Sequence, residues 1–370
     1  MARLLRDGLL ARPLQLVATV RPDRFTESGK GMSKQRTILV TGGAGYIGSH
    51  VVLQLVAQGE RVVVLDDLST GFADAIIGAE LVVGNVGDSD KVEKLLQQWE
   101  IDTVMHFAAR TIVPESVADP LRYYGNNTCA TRNLLASCAK GAVRHIVFSS
   151  TAAVYGEPAG GIAREDSATA PINPYGTSKL MSEWMLRDLT LAGGPAHVAL
   201  RYFNVAGCDV AGRIGQSTAN ATLLTKVACE AALGVRPYVC IFGTDYDTID
   251  GTGVRDYIHV DDLARAHVDA LGYLRAGGAS VTLNCAYGHG YSVREVIAAV
   301  ARAHGAPIAT REHARRAGDP PSLIADAQRI RSVLCWTPRC DDIDLIARTA
   351  LAWEHKLRER APRDLERAYG

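Results

Sequence analysis

The sequence has no excess of charge of either sign and no long hydrophobic run. Lysine plus arginine and aspartate plus glutamate each total 40 among the 370 residues, so the formal net charge is zero. A chain balanced in this way lacks the field that attracts nucleic acid or an anionic membrane surface, and we exclude both as partners. No apolar stretch reaches the roughly 18 residues that a membrane span requires. The 47% hydrophobic content instead indicates a globular chain with a large core.

The eight cysteines lack the spacings of a metal or redox site. They are scattered through apolar or helical stretches, form no Cys-x-x-Cys pair, and none lies beside a histidine at a zinc spacing. We therefore expect no metal, and we interpret the cysteines as reduced core thiols of a cytoplasmic protein.

The stretch from Thr37 to His50 is the strongest local signal. A short apolar run leads into Gly42-x-x-Gly45-x-x-Gly48, the pattern of a strand that passes through a glycine turn into a helix. Without side chains, Gly42 and Gly45 would let a pyrophosphate reach the backbone amides, and Gly48 would let the helix pack on the sheet. An ordinary glycine turn is the alternative interpretation.

Two acids at the end of the next strand favour the dinucleotide interpretation. The strand pattern of Arg61–Leu65 is followed directly by Asp66 and Asp67, which lie about 20 residues beyond the glycine turn. An acid there accepts hydrogen bonds from the adenosine ribose and repels a 2′-phosphate, so the expected cofactor is NAD rather than NADP. Solvated loop carboxylates are the alternative.

Strand and helix patterns alternate from Thr37 onward, as in a parallel sheet with crossover helices. The strand candidates are Ile38–Val40, Val62–Leu65, Leu81–Val83, Thr103–Phe107, His145–Phe148 and Val198–Arg201. The helix candidates are Ile47–Ala57, Lys91–Trp99, Leu121–Ala139 and Tyr175–Leu191. We predict an α/β fold: a doubly wound parallel Rossmann sheet, which binds ligands at the carboxyl ends of its strands, followed by a smaller C-terminal α/β substrate-binding lobe.

The predicted domain organisation has three parts. Residues 1–31 carry arginines and prolines among leucines and precede a second possible start at Met32, so we expect a dispensable extension, with a targeting peptide as the alternative. Residues 32–205 form the NAD-binding domain, and residues 206–370 form mainly the substrate lobe. We place the helix near Thr222–Leu233 and the short segments Val239–Phe242 and Thr282–Asn284 in that lobe, and Ser292-x-x-Glu295 predicts a capped helix start.

Tyr175 and Lys179 are the best catalytic candidates. They are four residues apart and would share one face of a helix that Pro174 can begin. A nearby ammonium favours the phenolate, so we expect Lys179 to lower the pKa of Tyr175 and make it a base. Thr151 closes a strand at the predicted ligand edge, where its hydroxyl could bind substrate or could merely cap the strand.

These residues and their surroundings resemble the extended short-chain dehydrogenase/reductases, and within them the nucleotide-sugar epimerases. The resemblance extends from Thr37 to about Trp353. It rests on TGGAGYIGSH at 41–50, HFAA at 106–109, PESV at 114–117, SSTAAVYG at 149–156, Tyr175-x-x-x-Lys179, RYFNVAG at 201–207, GTGVRDYIHV at 251–260 and RRAGDP at 315–320.

The resemblance implies roles for individual residues. Besides the glycines, the NAD-binding positions are Tyr46, Ile47, Asp66, Asp67, Leu68, Ser69, Thr70, Gly71, Asn85, Val86, Phe107, Ala108, Ala109, Arg110, Thr111, Asn126 and Phe203, together with Thr151, Tyr175 and Lys179. The UDP-sugar positions are Asn204, Thr222, Leu223, Cys240, Ile241, Phe242, Arg255, Arg316, Asp319 and Leu323, together with Thr151 and Tyr175. Three positions depart from the family pattern: Thr151 replaces a serine, Asn85 an aspartate and Thr111 a lysine.

The activity that the resemblance implies is reversible inversion of UDP-glucose and UDP-galactose at C4 through a 4-keto sugar, a step of galactose metabolism. Epimerisation of UDP-N-acetylglucosamine or of a UDP-pentose is the alternative. A nucleotide-sugar dehydratase is disfavoured because the Asp-Glu pair of that group is replaced here by Ala152 and Ala153. A silent NAD-sensing module would not need Thr151, Tyr175 and Lys179. Relatives are commonly homodimers, so we expect a homodimer.

Leu323 is the residue from which we predict substrate breadth. In the family, the matching position lies beside the sugar C2 substituent, where tyrosine blocks an N-acetyl group and a small residue admits it. A leucine is intermediate in size and can rotate aside. We expect UDP-glucose and UDP-galactose to be the main pair and the N-acetylated pair to react slowly, unless Leu323 packs against the lobe and never meets the sugar.

Overall fold

The computed structural model describes residues 36–218, 221–316 and 319–369. The predicted extension, residues 1–31, lies outside the described residues. The part that the structure describes contains no helix long and apolar enough to cross a membrane.

A seven-stranded parallel sheet forms the centre of the fold, with strand order β12-β7-β5-β4-β1-β2-β3. Its strands are β1 (Thr37–Thr41), β2 (Arg61–Asp66), β3 (Glu80–Val83), β4 (Ile101–His106), β5 (His145–Thr151), β7 (Ala196–Tyr202) and β12 (Val281–Cys285). The six strand candidates of the first half all lie in this sheet, which confirms the predicted doubly wound Rossmann architecture.

Both faces of the sheet are buried, which explains why its strands are short uninterrupted apolar runs. On β1, Ile38 and Val40 point to one core cluster, and Leu39 points to the other. The first cluster is covered by α1 (Tyr46–Ala57) and α8 (Val260–Arg275). The second is covered by α2 (Ser89–Gln98), α5 (Ala130–Lys140) and α6 (Pro174–Leu191).

The predicted helix Leu121–Ala139 is interrupted in the structure. Its residues fall in α4 (Pro120–Tyr123), a π-helical segment (Tyr124–Cys129) and α5, which follow α3 (Val113–Ala118). The π-helical turn widens the backbone by one residue per turn and is often found at functional sites. The other predicted helices are present with small shifts at their ends, and Ser292 and Glu295 form the predicted capping box at the start of α9 (Val293–His304).

Smaller sheets lie beyond the carboxyl edge of the main sheet. Four strands, β6 (Ile162–Ala163), β10 (Val254–Arg255), β13 (Tyr291–Ser292) and β15 (Ser322–Ala325), form one sheet in the order β13-β10-β15-β6. Two pairs complete the set: β8 (Asn204–Ala206) with β11 (Tyr257–His259), and β9 (Val239–Phe242) with β14 (Thr310–His313). The remaining helices are α7 (Leu224–Ala232), α10 (Gln328–Leu334) and α11 (Ile343–Tyr369).

One strand lies where the sequence did not place it. The segment Thr282–Asn284 was assigned to the smaller lobe, but it belongs to β12, which pairs with β7 at the edge of the main sheet. The assignment was wrong because a three-residue apolar pattern does not reveal its partner. The domain boundary at residue 205 itself stays a prediction.

The cysteines are all unpaired. Five are buried and Cys240 is half-buried, in agreement with reduced core thiols. Cys129 and Cys335 are exposed, so for these two the core interpretation is wrong.

Candidate active site

The glycine turn lies at the carboxyl end of β1 and begins α1. A Cβ atom at Gly48 would lie 2.3 Å from the carbonyl oxygen of Gly42, so the helix can approach the turn only at a glycine. Gly42 has φ +69°, and a Cβ atom there would lie 2.5 Å from the backbone nitrogen of Ala108. Gly42 is therefore required by the backbone path and by the adjacent loop, a reason that the pyrophosphate argument did not include.

The space in front of Gly45 is open enough for a phosphate group. A Cβ atom at Gly45 would meet only the carbonyl oxygen of Gly42, at 3.3 Å, so the space in front of the turn is open. Gly45 is also the N-cap of α1, and no side chain caps that helix. An open turn with uncapped amides at a helix N-terminus suits an anion such as the pyrophosphate of NAD.

Asp66 joins the second strand end to the glycine turn. Its side chain accepts hydrogen bonds from the backbone N–H groups of Ala44 at 2.9 Å and Leu68 at 2.8 Å. Burial raises the pKa of Asp66, although both backbone donors act in the opposite direction. A carboxylate has four acceptor sites, so these two bonds leave capacity for ribose hydroxyls.

The rest of the loop after β2 packs against the same turn. A Cβ atom at Gly71 would lie 2.8 Å from the carbonyl carbon of Ala44. Asp67 accepts the N–H of Ser69 at 3.0 Å in the intervening turn. The structure therefore brings the predicted residues 66–71 together with the glycine turn.

Further candidates follow β3 and β4 along the same edge. The Asn85 side-chain oxygen accepts the N–H of Gly87 at 2.8 Å, which holds its own loop and does not use the two donors of the amide NH₂. Val86 is buried beside it. The loop from Phe107 to Thr111 begins with a bond from the Phe107 N–H to the Thr41 carbonyl, at 2.9 Å. Since β3, β2, β1 and β4 are neighbours, these loops form one continuous rim.

Asn127, which the sequence analysis did not select, holds this rim to the catalytic helix. The side chain is 2% exposed. Its oxygen accepts the N–H of Arg110 at 2.9 Å, and its NH₂ donates to the Arg110 carbonyl and to the Ser178 hydroxyl, both at 3.0 Å. Asn126, the predicted residue, donates to Asn127 at 3.2 Å. The consecutive asparagines in a helical pattern were the available signal, because asparagine is a poor interior helix residue.

Tyr175 and Lys179 lie on the first turns of α6, with Pro174 at its start. The Asn173 side chain caps this helix by accepting the Gly176 N–H at 2.8 Å. Both catalytic candidates are buried, Tyr175 at 7% exposure and Lys179 at 3%. The helix cap and the core beneath it therefore fix the two side chains at the carboxyl edge of the sheet.

Lys179 is directed towards β5. Its ammonium donates to the Ser149 carbonyl at 2.8 Å and lies 4.9 Å from the centroid of the Phe148 ring. Burial lowers the pKa of Lys179 to about 7, while the carboxylate of Glu183 acts to raise it. The group therefore titrates close to neutral pH.

Burial also dominates Tyr175, and it raises the pKa of this phenol. The opposing influence is the hydroxyl of Thr151, which favours the phenolate. The sequence predicted that Lys179 lowers the pKa of Tyr175, and this prediction was wrong. Desolvation outweighs the effect of nearby polar groups on the phenol, and the Lys179 ammonium bonds to Ser149. Thr151 also accepts the Ala153 N–H at 3.2 Å, so it caps the turn after β5, and its binding of substrate stays a prediction.

The predicted UDP-sugar residues are gathered on the smaller sheets and on the segments that lead into them. Arg255 on β10 pairs in register with Leu323 on β15 and makes an ion pair with Asp319 at 3.8 Å. The exposed guanidinium of Arg316 lies 3.7 Å from the centroid of Phe242 on β9. The remaining members are Asn204 on β8, Thr222 and Leu223 immediately before α7, and Cys240 and Ile241 on β9.

Leu323 meets a small core cluster beside the catalytic residues. This half-buried leucine packs with Phe203 against a cluster that includes Ala152 and Leu180. Ala152 follows Thr151 in the chain and Leu180 follows Lys179. Leu323 therefore packs against the fold and also lies close to the proposed reaction centre.

The fold and site define a dinucleotide-binding enzyme with a tyrosine-lysine pair at the carboxyl edge of a Rossmann sheet. Among the residues that the structure describes, no group of three or more His, Cys, Asp or Glu side chains could hold a metal ion. The model of the NAD dependent epimerase/dehydratase family matches residues 38–286. The chain belongs to this family, and membership confirms NAD as the predicted cofactor.

Three relatives illustrate the similarity. A UDP-glucose 4-epimerase of Azospirillum brasilense is 54% identical over 323 residues, 87% of this chain and 93% of that relative. The UDP-glucose 4-epimerase of Brucella ovis, solved in complex with NAD, is 42% identical, with a TM-score of 0.84 over 86% of this chain and 98% of that chain. The UDP-Glc/GlcNAc 4-epimerase of Campylobacter jejuni is 46% identical, with a TM-score of 0.77 over 87% and 99%.

Proposed function

We propose that the chain is an isomerase that interconverts UDP-glucose and UDP-galactose by inverting C4, with NAD as cofactor. The observation that carries the proposal is a 54% identical UDP-glucose 4-epimerase that aligns with 87% of the chain. The buried Tyr175, Lys179 and Thr151 at the carboxyl edge of the sheet supply the groups that this reaction requires.

The glycine turn at Gly42–Gly48 and Asp66 would hold NAD, which would supply the hydride acceptor and donor that the reaction needs. Tyr175, as the phenolate, accepts the proton of the C4 hydroxyl while that carbon is oxidised, and it returns the proton when the keto group is reduced. Thr151 stabilises the phenolate of Tyr175 and can bond the same sugar oxygen. Lys179, as the ammonium on the same face of α6 as Tyr175, adds positive charge to the buried site. No proton or hydride is consumed overall, so the cycle leaves only the configuration at C4 changed.

Two arginines are suited to bind the pyrophosphate of the nucleotide. Arg255 and Arg316 carry guanidinium groups suited to bidentate contact with phosphate oxygens. Arg316 rests on Phe242 and is exposed, so it can turn towards a pyrophosphate without breaking a buried contact. Tight binding of UDP together with looser binding of the hexose lets the keto sugar turn over before it is reduced.

The surroundings of Thr151 argue against a dehydratase. Elimination of water requires a second acid and base beside the sugar. Ala152 is buried in a small apolar cluster, and Ala153 carries no titratable group. A proton carrier for elimination is therefore missing at both positions.

The N-acetylated pair, UDP-N-acetylglucosamine and UDP-N-acetylgalactosamine, is the second candidate substrate pair. The 46% identical Campylobacter jejuni protein is named for both UDP-Glc and UDP-GlcNAc. The half-buried leucine at position 323 favours slow reaction of the N-acetylated pair here, because it takes more space than a serine and less than a tyrosine.

We also propose a cytoplasmic homodimer. Exposed apolar side chains lie on α3, α4 and α6: Val117 is 62% exposed, Leu121 79%, Trp184 46% and Leu191 80%. Such a group of side chains is typical of a surface that another copy covers. Analytical ultracentrifugation tests the dimer, because Leu121→Asp with Trp184→Asp should convert it to monomers.

The direct test of function uses the purified chain without added cofactor. We expect bound NAD in the protein and conversion of UDP-galactose to UDP-glucose, with slower conversion of UDP-N-acetylgalactosamine. UDP-xylose tests the pentose alternative in the same assay. A protein that neither contains nor binds NAD, or that leaves UDP-galactose unchanged, would contradict the proposal.

A further inference from the structure

A buried carboxylate lies one helical turn after Lys179 and is absent from the mechanism described above. Glu183 is 6% exposed and follows Lys179 by four residues on α6, a spacing that puts the two side chains on one face. A buried carboxylate is costly unless other groups compensate its charge. Its partners therefore indicate what it does.

Arg201 and Ser150 hold Glu183 in one position. Arg201 on β7 donates through Nε to Oε1 at 2.9 Å and through Nη2 to Oε2 at 2.5 Å, a two-pronged contact between two buried groups. The Ser150 hydroxyl donates to the same carboxylate. The Arg201 guanidinium lies 4.8 Å from the centroid of the Tyr155 ring, which limits its movement.

The same strand holds both charged groups of the helix. The carbonyl of Ser149 accepts the ammonium of Lys179, and the next residue, Ser150, binds Glu183. Consecutive residues of one strand thus hold the ammonium and the carboxylate on one face of α6, and the ammonium keeps its hydrogen bond to Ser149. In a buried site such a charge acts strongly across space, because water does not screen it.

The other charged and titratable groups around Lys179 do not replace Glu183. Burial, together with the charge of Lys179, lowers the pKa of His106 to about 3, so this imidazole is neutral. Burial raises the pKa of both Tyr175 and Tyr202, which disfavours their phenolates. The titratable groups around the ammonium are Tyr175 and Glu183 on α6, His106 on β4, and Tyr202 on β7, whose hydroxyl bonds to Ser149. Arg201 on β7 is the charged partner of Glu183.

We propose that Glu183, fixed by Arg201 and Ser150, is a positioning residue that keeps Lys179 protonated within the buried site. This inference rests on the proposed function, in which Lys179 acts as the ammonium beside the base. With the carboxylate in place, burial lowers the pKa of Lys179 to about 7, so loss of the carboxylate would release the proton at a lower pH.

The first experiment measures the Lys179 pKa directly. The chain has eight lysines, so NMR of ¹³C-lysine-labelled protein gives few signals, and Lys179→Arg assigns the one in question. We expect Glu183→Gln to lower the pKa of Lys179 by about 1 unit or more, as loss of a nearby opposite charge does. Glu183→Asp, which keeps the charge, should restore most of the wild-type value.

The matched control is Asp102→Asn. Asp102 is also a buried carboxylate of the main sheet, bonded to Arg144 at 2.7 Å, but it lies at the amino end of β4. Its loss should cost stability and leave the pKa of Lys179 unchanged. If Glu183→Gln fails to fold, Arg201→Met is the second variant: it removes the cation paired with Glu183, so it should raise the pKa of Lys179, and an unchanged or lower pKa would contradict the inference.

The second experiment is the pH profile of kcat. A lysine needed in its protonated form loses its effect as the pH rises through its pKa. Lowering that pKa therefore moves the alkaline fall in kcat to lower pH by the same amount, with the KM for UDP-galactose unchanged. An unaltered Lys179 pKa in Glu183→Gln, or an equal shift in Asp102→Asn, would overturn the inference. An inactive wild type would instead contradict the proposed function, and the NMR titration would still decide the role of Glu183.

Discussion

The two ligand-binding sides of this molecule are built in different ways. On the cofactor side, backbone meets backbone: the glycine turn, the loop after β2 and the loop after β4 approach so closely that Cβ atoms at Gly42, Gly48 and Gly71 would clash with main-chain atoms. On the substrate side, side chains make the contacts: Arg316 rests on Phe242, and Arg255 faces Asp319 at 3.8 Å. The cofactor side is therefore rigid, and the substrate side can adjust.

This difference suits a reaction in which the cofactor stays in place while the sugar turns over. A rigid backbone site cannot change without disturbing the fold, since interiors are closely packed. The exposed Arg316 can change rotamer at small cost. Mutations on the cofactor side should therefore change the rate or the stability, and mutations on the substrate side should change the substrate affinity.

The largest effect should come from Tyr175→Phe, at the catalytic edge. Loss of the phenol removes the acid/base group, so turnover should fall by at least ~10²-fold while UDP binding stays nearly intact. Steady-state kinetics and UDP titration check this. The control is Tyr273→Phe, because Tyr273 lies on α8 and its hydroxyl donates to the carbonyl of Ala279 at 2.9 Å. Weakened UDP binding with normal turnover would contradict the assignment.

Gly48→Ala should damage the rigid side through packing. The added methyl group would lie 2.3 Å from a backbone oxygen, and overpacking of this kind costs about 1–3 kcal/mol. Thermal unfolding and NAD content should both decrease. Gly272→Ala is the control, because a Cβ atom there meets nothing within 4 Å; equal losses in both variants would show that the close approach is unimportant.

Arg316→Ala should affect the adjustable side by affinity alone. Loss of a charge-assisted bond to phosphate costs about 1.5–3 kcal/mol, which corresponds to roughly a 10- to 100-fold rise in the KM for UDP-galactose. Turnover and NAD content should be unchanged. Arg302→Ala, which removes an exposed arginine paired with Asp344, should leave the KM unaltered. A fall in kcat without a change in KM would contradict the proposed difference between the cofactor side and the substrate side.

Leu323 should control selectivity with a smaller effect. Leu323→Tyr should reduce kcat/KM for the N-acetylated pair about 10-fold relative to UDP-galactose, and Leu323→Ser should favour that pair, since differences of this size in a pocket are worth about 1–3 kcal/mol. The ratio of kcat/KM values is the measurement. Parallel changes for both substrates would mean that Leu323 acts only through packing.

Deletion of residues 1–31 should have the smallest effect, with activity and Tm unchanged. The catalytic and binding residues all follow residue 36. Comparison of the truncated and full chains by kinetics and thermal unfolding tests this expectation, and a large loss in either would show that the segment supports the fold.

The sequence predicts the rigid side better than the adjustable side, for a physical reason. Buried parallel strands are apolar runs with glycine turns after them, so the run at Ile38–Val40 and the turn at Gly42 carry their own signals. The two-residue strand β10 has no such signal, because its partners lie at Ser292 and Ser322, far along the chain. Local patterns do not specify such pairings.

The candidate site shows the same limit. Motif spacing was sufficient to select Tyr175 and Lys179, and both lie at the carboxyl edge as expected. The pKa of Tyr175 could not be derived from spacing, because it depends on burial. Asn127 was missed, and its neighbour Asn126 was selected instead. The choice between the two depends on which asparagine faces inward, and the π-helical turn changes the spacing of the inward-facing residues.

The position of β12 has a consequence for synthesis of the chain. The N–H of His197 on β7 bonds to the hydroxyl of Ser280, 83 residues later, at the start of β12. At the usual rate of about 5–20 residues per second, the ribosome needs roughly 4 to 17 seconds to complete this interval. During that time β7 is an unpaired edge that could join another nascent chain. A chaperone that binds early chains should therefore matter most while residues 203–285 are being made.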